Sequence, residues 1–332
     1  MSHDSEPGLV SVVVPAYGRP DYLDAAVESV ADQTYGPIEL VVVDDCSPDP
    51  IEPIVAAAET GALDSVRVVR HEVNRGANAA RNTGIEASTG EFVAFLDDDD
   101  YWRPEKVEKQ VRAFERGGDD VGFVYTGQEN VTADGTTTNY RVPETRGWVT
   151  RDLFRGAPLC PFSSVMVRRS VVDAAGLLDT RFPSWQDREW YLRISEECAF
   201  EVVAEPLAVR RVDSHGQISD NYEQKRDVSY PLFLEKHRPL ARKYGKRHEK
   251  ALVAAQSRSL AHAALMTGHY RDAVRFLLRS IRYDPSQTDS YPVLAVAMGG
   301  ERAVQAAQRL KRLAERLRGR TAFGTASNDA NV

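Results

Sequence analysis

Over the first hundred residues, short apolar runs alternate with stretches of helical spacing. Val10–Val14, Ile38–Val43, Val66–Arg70 and Phe92–Leu96 are nearly continuous in Val, Ile, Leu and Phe. Between them, Tyr22–Asp32, Ile51–Glu59 and Asn78–Ala87 carry the spacing of helices. Strands this apolar have both faces buried, so the pattern predicts an α/β fold with a mostly parallel, Rossmann-like central sheet and helices on both faces. Each strand ends in a polar cluster: Pro15–Tyr17, Asp44–Ser47 and Asp97–Asp100. In open α/β sheets ligands bind beyond the carboxyl ends of the strands, so these clusters mark the expected site.

Past Pro104 the pattern predicts a helix to about Arg116 and a strand at Val121–Thr126. An "ADG" turn follows, a hairpin signal. Further expected elements are a strand at Ser163–Val167, a short helix at Ser170–Ala175 stopped by Gly176, a helix at Gln186–Glu197, and two strands at Phe200–Ala204 and Leu207–Arg211. From about Asp220 the signal is helical. Leu252–Pro285 resembles one tetratricopeptide unit, through Ala264, Gly268-His269-Tyr270, Ala273, Leu277 and Asp284-Pro285. A lone unit cannot bury its own face, so it is expected to pack on the catalytic domain as an appendage. The organisation expected is a flexible N-terminus over 1–8, an α/β domain over 9–219, an all-α extension over 220–320 and a disordered tail over 321–332.

Composition narrows the function. Hydrophobic residues make up 42% and charged residues 27% of 332 residues, as in ordinary globular proteins, and the formal net charge of −7 disfavours nucleic acid as a partner. Cys46, Cys160 and Cys198 form no zinc pattern and no disulfide framework. The polar start MSHDSEPG does not read as a leader, and no apolar run approaches the roughly 18 residues of a membrane span. A cytoplasmic location is expected. The last predicted helix, 301–320, has an apolar stripe and a face with seven Arg or Lys against two Glu. Packing on neighbouring helices is the ordinary role of such a stripe; peripheral contact with an anionic membrane is the alternative.

The stretch "EFVAFLDDDDYW" asks for chemistry. Four adjacent carboxylates repel one another when ionised. A divalent cation relieves that repulsion, and hard carboxylate oxygens suit Mn²⁺ or Mg²⁺. Asp97 and Asp99, two residues apart, point the same way along an extended chain. Such a cation holds one or two carboxylates plus substrate phosphates, so a diphosphate-bearing substrate is the natural partner.

"SVVVPAYGRPDYLDAAVESVADQTYGPIELVVVDDCSPD" and "NRGANAARNTGIEASTGEFVAFLDDDDYW" resemble family 2 glycosyltransferases of GT-A fold, over about residues 9–215. The resemblance implies that Pro15 and Tyr17 line the nucleotide-base pocket and that Asp45 hydrogen-bonds a uracil ring, with Asp44 structural. It places Arg81 and Asn82 near the diphosphate. It makes Asp99 the metal ligand and Asp97 a ribose or metal contact, while Asp98 and Asp100 are expected to face solvent. It implies Asp187 of "FPSWQDREWYLRI" as the base that deprotonates the acceptor, and His215 as a diphosphate contact or third metal ligand; Trp185, beside Asp187, is read on its own as either a platform for an acceptor sugar or a residue packed in its loop. Arg210 and Arg211 are candidate phosphate clamps.

The function implied is inverting transfer from a nucleotide-sugar, a UDP-sugar first, to a hydroxyl of a lipid-linked, polysaccharide or glycoprotein acceptor. Two alternatives stand beside it. A sugar nucleotidyltransferase would want lysine in the loop after the first strand, and "VVPAYGRPDYL" has none. A non-catalytic helical scaffold would have no need of acids at 45, 97, 99 and 187.

Overall fold

The computed structural model describes residues 5–58, 60–142, 144–212, 221–307 and 309. The chain divides into two compact units, Met1–Ile218 and Ser219–Val332. The first begins β1 (Glu6–Ala16), α1 (Pro20–Ala31), β2 (Ile38–Asp44), α2 (Glu52–Ala57), β3 (Ser65–Arg70), α3 (Ala77–Glu86) and β4 (Gly90–Phe95). It continues β5 (Asp100–Trp102), α4 (Lys106–Gly117), β6 (Val121–Val131), β7 (Thr137–Arg141), α5 (Thr150–Phe154), β8 (Val165–Arg168), α6 (Arg169–Ala175), α7 (Gln186–Ile194) and β9 (Ala199–Arg211).

Among the described residues the nine strands form one sheet in the order β3-β2-β1-β4-β8-β6-β9-β5, with β7 paired to β6. The β3-β2-β1-β4 half is parallel, as the apolar runs predict, and β6 and β9 are also parallel. The β4–β8, β6–β8, β6–β7 and β5–β9 pairings are antiparallel.

Side-chain alternation builds a core on each face. Val10, Val12 and Val14 of β1 and Phe92 and Ala94 of β4 turn to one face, under Leu23 and Val27 of α1 and Val107, Val111 and Phe114 of α4. Val13, Val93 and Phe95 turn to the other, where Ile85 of α3 and Trp190, Tyr191 and Ile194 of α7 cover them. Helix α3 lies close on β1: a Cβ added at Gly84 would run into Val13. Lys106 is fully buried, donating to Gln110 Oε1 at 2.7 Å with its ammonium 3.8 Å from the centre of the Trp102 ring; burial holds its pKa well below the usual range.

Three local differences from the sequence reading have physical causes. The first strand starts at Glu6, inside the segment expected to be flexible. The Glu6 and Gly8 amides donate to Thr89 O and Glu91 Oε2 at 3.0 and 2.9 Å, across an irregularity in the β1–β4 register. The two strands expected at 200–211 are one, β9, whose register against β6 shifts around Gly127 opposite Pro206. The short elements β5 and α5 lie outside the predicted ones, being too brief for a periodic signal, while β7 is the second strand of the hairpin that the ADG turn marks.

The second unit holds a three-residue turn, α8 (Tyr222–Gln224), a π-helical turn at Lys225–Ser229, then α9 (Tyr230–Lys243), α10 (Lys246–Met266), α11 (Tyr270–Tyr283) and α12 (Ser290–Met298). Helices α10 and α11 are the tetratricopeptide-like pair, with Ala264, Ala273 and Leu277 fully buried. Within the unit, α9 packs on α10 and α12 packs on α11. Glu249 ties the first two, accepting from Arg238 and Arg242 at 2.8 and 2.7 Å. Residues 301–307 are helical, and the rest of the predicted 301–320 helix, apart from 309, lies outside the described residues, as does the 321–332 tail. No helix among the described residues is long and apolar enough to cross a membrane.

Candidate functional site

The polar clusters at the carboxyl ends of β1, β2 and β4 meet. Asp45 N–H donates to Ala16 O at 2.9 Å and Gly18 N–H to Ser47 Oγ at 3.0 Å, joining the loop after β1 to the loop after β2. Tyr17 N–H donates to Asp98 Oδ2 at 3.0 Å, joining the first loop to the acidic run. Pro15 is buried within β1, and the Tyr17 ring beyond it is half exposed.

The four aspartates alternate. Asp98 and Asp100 are buried, at 5% and 3% exposure, and Asp97 and Asp99 are partly open. The expectation that Asp98 and Asp100 face solvent is therefore wrong. The chain turns here, with Asp100 N–H donating to Asp97 O at 3.1 Å, and sends every second side chain inward. Asp98 takes the Tyr17 amide and Arg19 Nη1, the latter at 3.0 Å. Asp100 accepts from Ser163 Oγ at 2.6 Å, and that hydroxyl accepts the Asp97 amide at 3.2 Å. Ser163 thus pins both ends of the turn. Burial pushes Asp98 up to about 7 against the pull of Arg19 and the Tyr17 amide. Burial, then the Asp97 and Asp99 charges, raise Asp100 well above the usual carboxylate range.

The two open aspartates each meet a guanidinium. Arg81 Nη2 donates to Asp97 Oδ1 at 2.5 Å, and Arg19 Nη1 lies 2.8 Å from Asp99 Oδ2. Burial, then the Asp97 charge, raise Asp99 while Arg19 pulls the other way. Arg81 is itself buried, its guanidinium 4.2 Å from the centre of the Phe162 ring. Each open carboxylate keeps a second oxygen that neither arginine takes. This donor set fits a hard cation of the kind that uses one or two carboxylates and completes its shell with phosphate and water oxygens. Among the described residues no group of three or more His, Cys, Asp or Glu is arranged as a metal site. His215, the expected third ligand, lies outside the described residues.

Helix α3 links the acidic turn to the segment before α7. Its Arg81 holds Asp97; Asn78 Nδ2 donates to Asp179 O at 2.8 Å; Asn82 donates to Leu178 O at 2.8 Å and accepts the Leu178 amide at 2.9 Å. Asn82 is thus a clamp between segments, with both side-chain polar atoms engaged. Asp187 stands in the first turn of α7, partly exposed, its Oδ1 accepting the Arg188 amide at 2.8 Å. The charges of Asp187 and Asp97 both act on the buried Tyr191 hydroxyl, whose pKa burial raises well above the usual range. Trp185, the expected sugar platform, is 7% exposed and serves as the N-cap of α7 in the left-handed region, at φ 64°. Arg188 lies 5.0 Å from the centre of its ring. Arg211 packs its guanidinium between the rings of Tyr22 and Tyr101, at 5.2 and 5.0 Å, and Arg210 pairs in register with Asp100.

Asp44 is fully buried, accepting from the Ser47 amide and from Arg70. Asp45, at 3% exposure, accepts from the Arg75 amide at 2.8 Å and the Gly76 amide at 2.7 Å, and its Oδ1 lies 2.7 Å from His71 Nδ1. Sequence reasoning passed over His71, Arg19 and Ser163. His71 had a signal, a single imidazole just past the end of β3; the other two act across 63 to 79 residues of chain and had none.

The model of the family described as Glycosyl transferase family 2 matches residues 11–176, half of the chain. The chain belongs to that family. A Bacillus subtilis (strain 168) protein named as a glycosyltransferase of teichuronic acid biosynthesis, TuaG, is 41% identical over 129 residues, which are 39% of this chain and 50% of TuaG. The amylovoran biosynthesis glycosyltransferase AmsB of Erwinia amylovora is 28% identical over 207 residues, 60% of this chain and 68% of AmsB. This chain therefore spans about half the length of TuaG. Among solved structures, S. aureus TarS residues 1–349 in complex with UDP-GlcNAc superposes with a TM-score of 0.63 at 21% identity, covering 91% of this chain and 92% of that one. That likeness fixes the fold, GT-A with an all-α extension.

Proposed function

We propose that this protein transfers a sugar from a UDP-sugar to a hydroxyl acceptor, with inversion at the anomeric carbon and with help from Mn²⁺ or Mg²⁺. The observation that carries the reading is the alternation at 97–100: two buried aspartates shape a turn that presents two open ones at the carboxyl ends of the strands. Uridine as the base is supported by TarS, crystallised with UDP-GlcNAc and with UDP. A glycan acceptor is supported by the polysaccharide-biosynthesis names of TuaG and AmsB.

The residues divide the work. Tyr17 and Asp45 border the base pocket. Asp97 and Asp99 would hold the cation, which when bound neutralises charge growing on the leaving diphosphate. Arg19 and Arg81 stand beside the same two carboxylates as fixed positive charges, and preorganised charge costs no reorganisation during reaction. Asp187 accepts the acceptor's proton as that oxygen attacks. A single displacement needs no enzyme nucleophile and gives inversion.

The test is a screen of UDP- and GDP-sugars with Mn²⁺, reading donor hydrolysis and product mass. One UDP-sugar turned over well above the rest is expected. Turnover of GDP-sugars alone would overturn the uridine reading, and formation of a nucleotide-sugar from a nucleoside triphosphate would favour the nucleotidyltransferase alternative.

A further inference from the structure

His71 is a buried residue behind Asp45, and its ring is engaged on both sides. Nδ1 lies 2.7 Å from Asp45 Oδ1, and Nε2 lies 2.9 Å from the Thr83 hydroxyl. His71 is 7% exposed and Asp45 3%. A carboxylate only accepts, so Nδ1 carries the proton toward Asp45, and the Thr83 hydroxyl, which can give or take a hydrogen bond, meets Nε2 on the other side. The threonine sits on α3 and the aspartate just past β2, so the imidazole braces one against the other.

The consequence falls on the carboxylate. It offers about four lone-pair positions. His71 and the Arg75 amide take Oδ1, and the Gly76 amide takes Oδ2. One position on Oδ2 is left, and the group cannot rotate without breaking three bonds. Its backbone is tied to Ala16, one residue before Tyr17. A single fixed acceptor suits a ring N–H, which uracil presents at N3. Cytosine presents a lone pair there, and its nearest donor, the exocyclic amine, is displaced to the next ring position. A carboxylate free to swing would reach that amine; a braced one does not.

We propose that His71 is a positioning residue that makes Asp45 select uracil over cytosine. The inference rests on the uridine reading above and adds the group that enforces it.

The test is calorimetric binding of UDP and of CDP with Mn²⁺, for the wild type, His71→Phe, His71→Asn and Thr83→Val, each checked for folding by circular dichroism. The wild type is expected to prefer UDP by about 10- to 100-fold, the worth of one buried hydrogen bond and its penalty when unmade. His71→Phe should lower that ratio at least tenfold by weakening UDP, with CDP affinity changed less than about threefold. His71→Asn, whose amide can donate in place of Nδ1, should recover part of the ratio. Thr83→Val keeps the side-chain shape, removes only the rear brace, and should lower the ratio about threefold; it carries the test if His71→Phe does not fold. A wild type that binds UDP and CDP alike overturns the uridine reading and this inference together. A wild type that prefers UDP, with the ratio intact in the folded His71 and Thr83 variants or with both nucleotides weakened equally, overturns the inference alone.

Discussion

The two ends of the central sheet are both polar inside, and they are finished differently. At the amino end of β2 and β4, Glu39 accepts from Ser11 Oγ at 2.6 Å and from the Gly90 amide at 3.0 Å. Arg169 donates to Gly90 O at 2.7 Å and Ser88 Oγ at 2.8 Å. None of these side chains keeps a buried atom without a partner. At the carboxyl end, Arg81 Nε, Asp100 Oδ1 and the Tyr191 hydroxyl are buried with no partner among the described residues. Satisfied buried networks stabilise and specify a fold, whereas unsatisfied ones cost stability and mark places awaiting something. The amino end is fully paired; the carboxyl end keeps unpaired buried groups, as the site proposed there would require.

Substitutions should sort by end. The largest effect is expected from Asp187→Asn at the carboxyl end. Transfer should fall about 10²- to 10⁴-fold, the usual worth of a general base, with UDP affinity by calorimetry unchanged within a few-fold. Transfer near the wild-type rate would remove Asp187 from the mechanism. Next comes Arg169→Met at the amino end, which leaves Glu39 buried without its nearby positive charge and strands several acceptors. Urea denaturation should show a loss of about 3–5 kcal/mol, while UDP affinity of the folded protein stays put. An affinity change without a stability change would erase the division between the ends.

A smaller effect tests the buried acids. Asp98 has a folded pKa of about 7 against 3.8 for the ordinary side chain. Between those values the native state binds more protons than the unfolded state. Stability therefore rises as pH falls from above 7 toward 4, with a slope of up to about 1.4 kcal/mol per pH unit from this one group. Asp98→Asn should flatten the rise in melting temperature measured from pH 8 to pH 5. An unaltered slope would mean that Arg19 keeps Asp98 ionised throughout.

The sequence carried much of the fold and less of the site. Strands β1, β2 and β4 were readable because burial on both faces makes a run almost wholly apolar; β3, the exposed edge strand, was readable from its valines. Strand β5 was not, since it opens on Asp100, inside an acidic run, and is held by pairing with β9. Asp97 and Asp99 were picked out by spacing, and the comparison with solved structures leaves their roles to experiment. That Asp98 and Asp100 point inward was unreadable, because the turn is shaped by Arg19 and Ser163, distant in the chain. Asp45 was singled out, but the imidazole behind it was missed: a single histidine beside a strand says nothing of which carboxylate it will meet.

The central claim is that Asp97 and Asp99 grip a nucleotide's diphosphate through a cation. Calorimetric titration of UDP into the wild type and Asp99→Ala, each with Mn²⁺ and with EDTA, tests it most directly. The expected result is tight binding by the wild type in Mn²⁺, weakened at least about tenfold by EDTA, and equally weak binding by Asp99→Ala in either buffer, as loss of a charge-assisted contact requires. Binding by Asp99→Ala that matches the wild type and still responds to Mn²⁺ would contradict it.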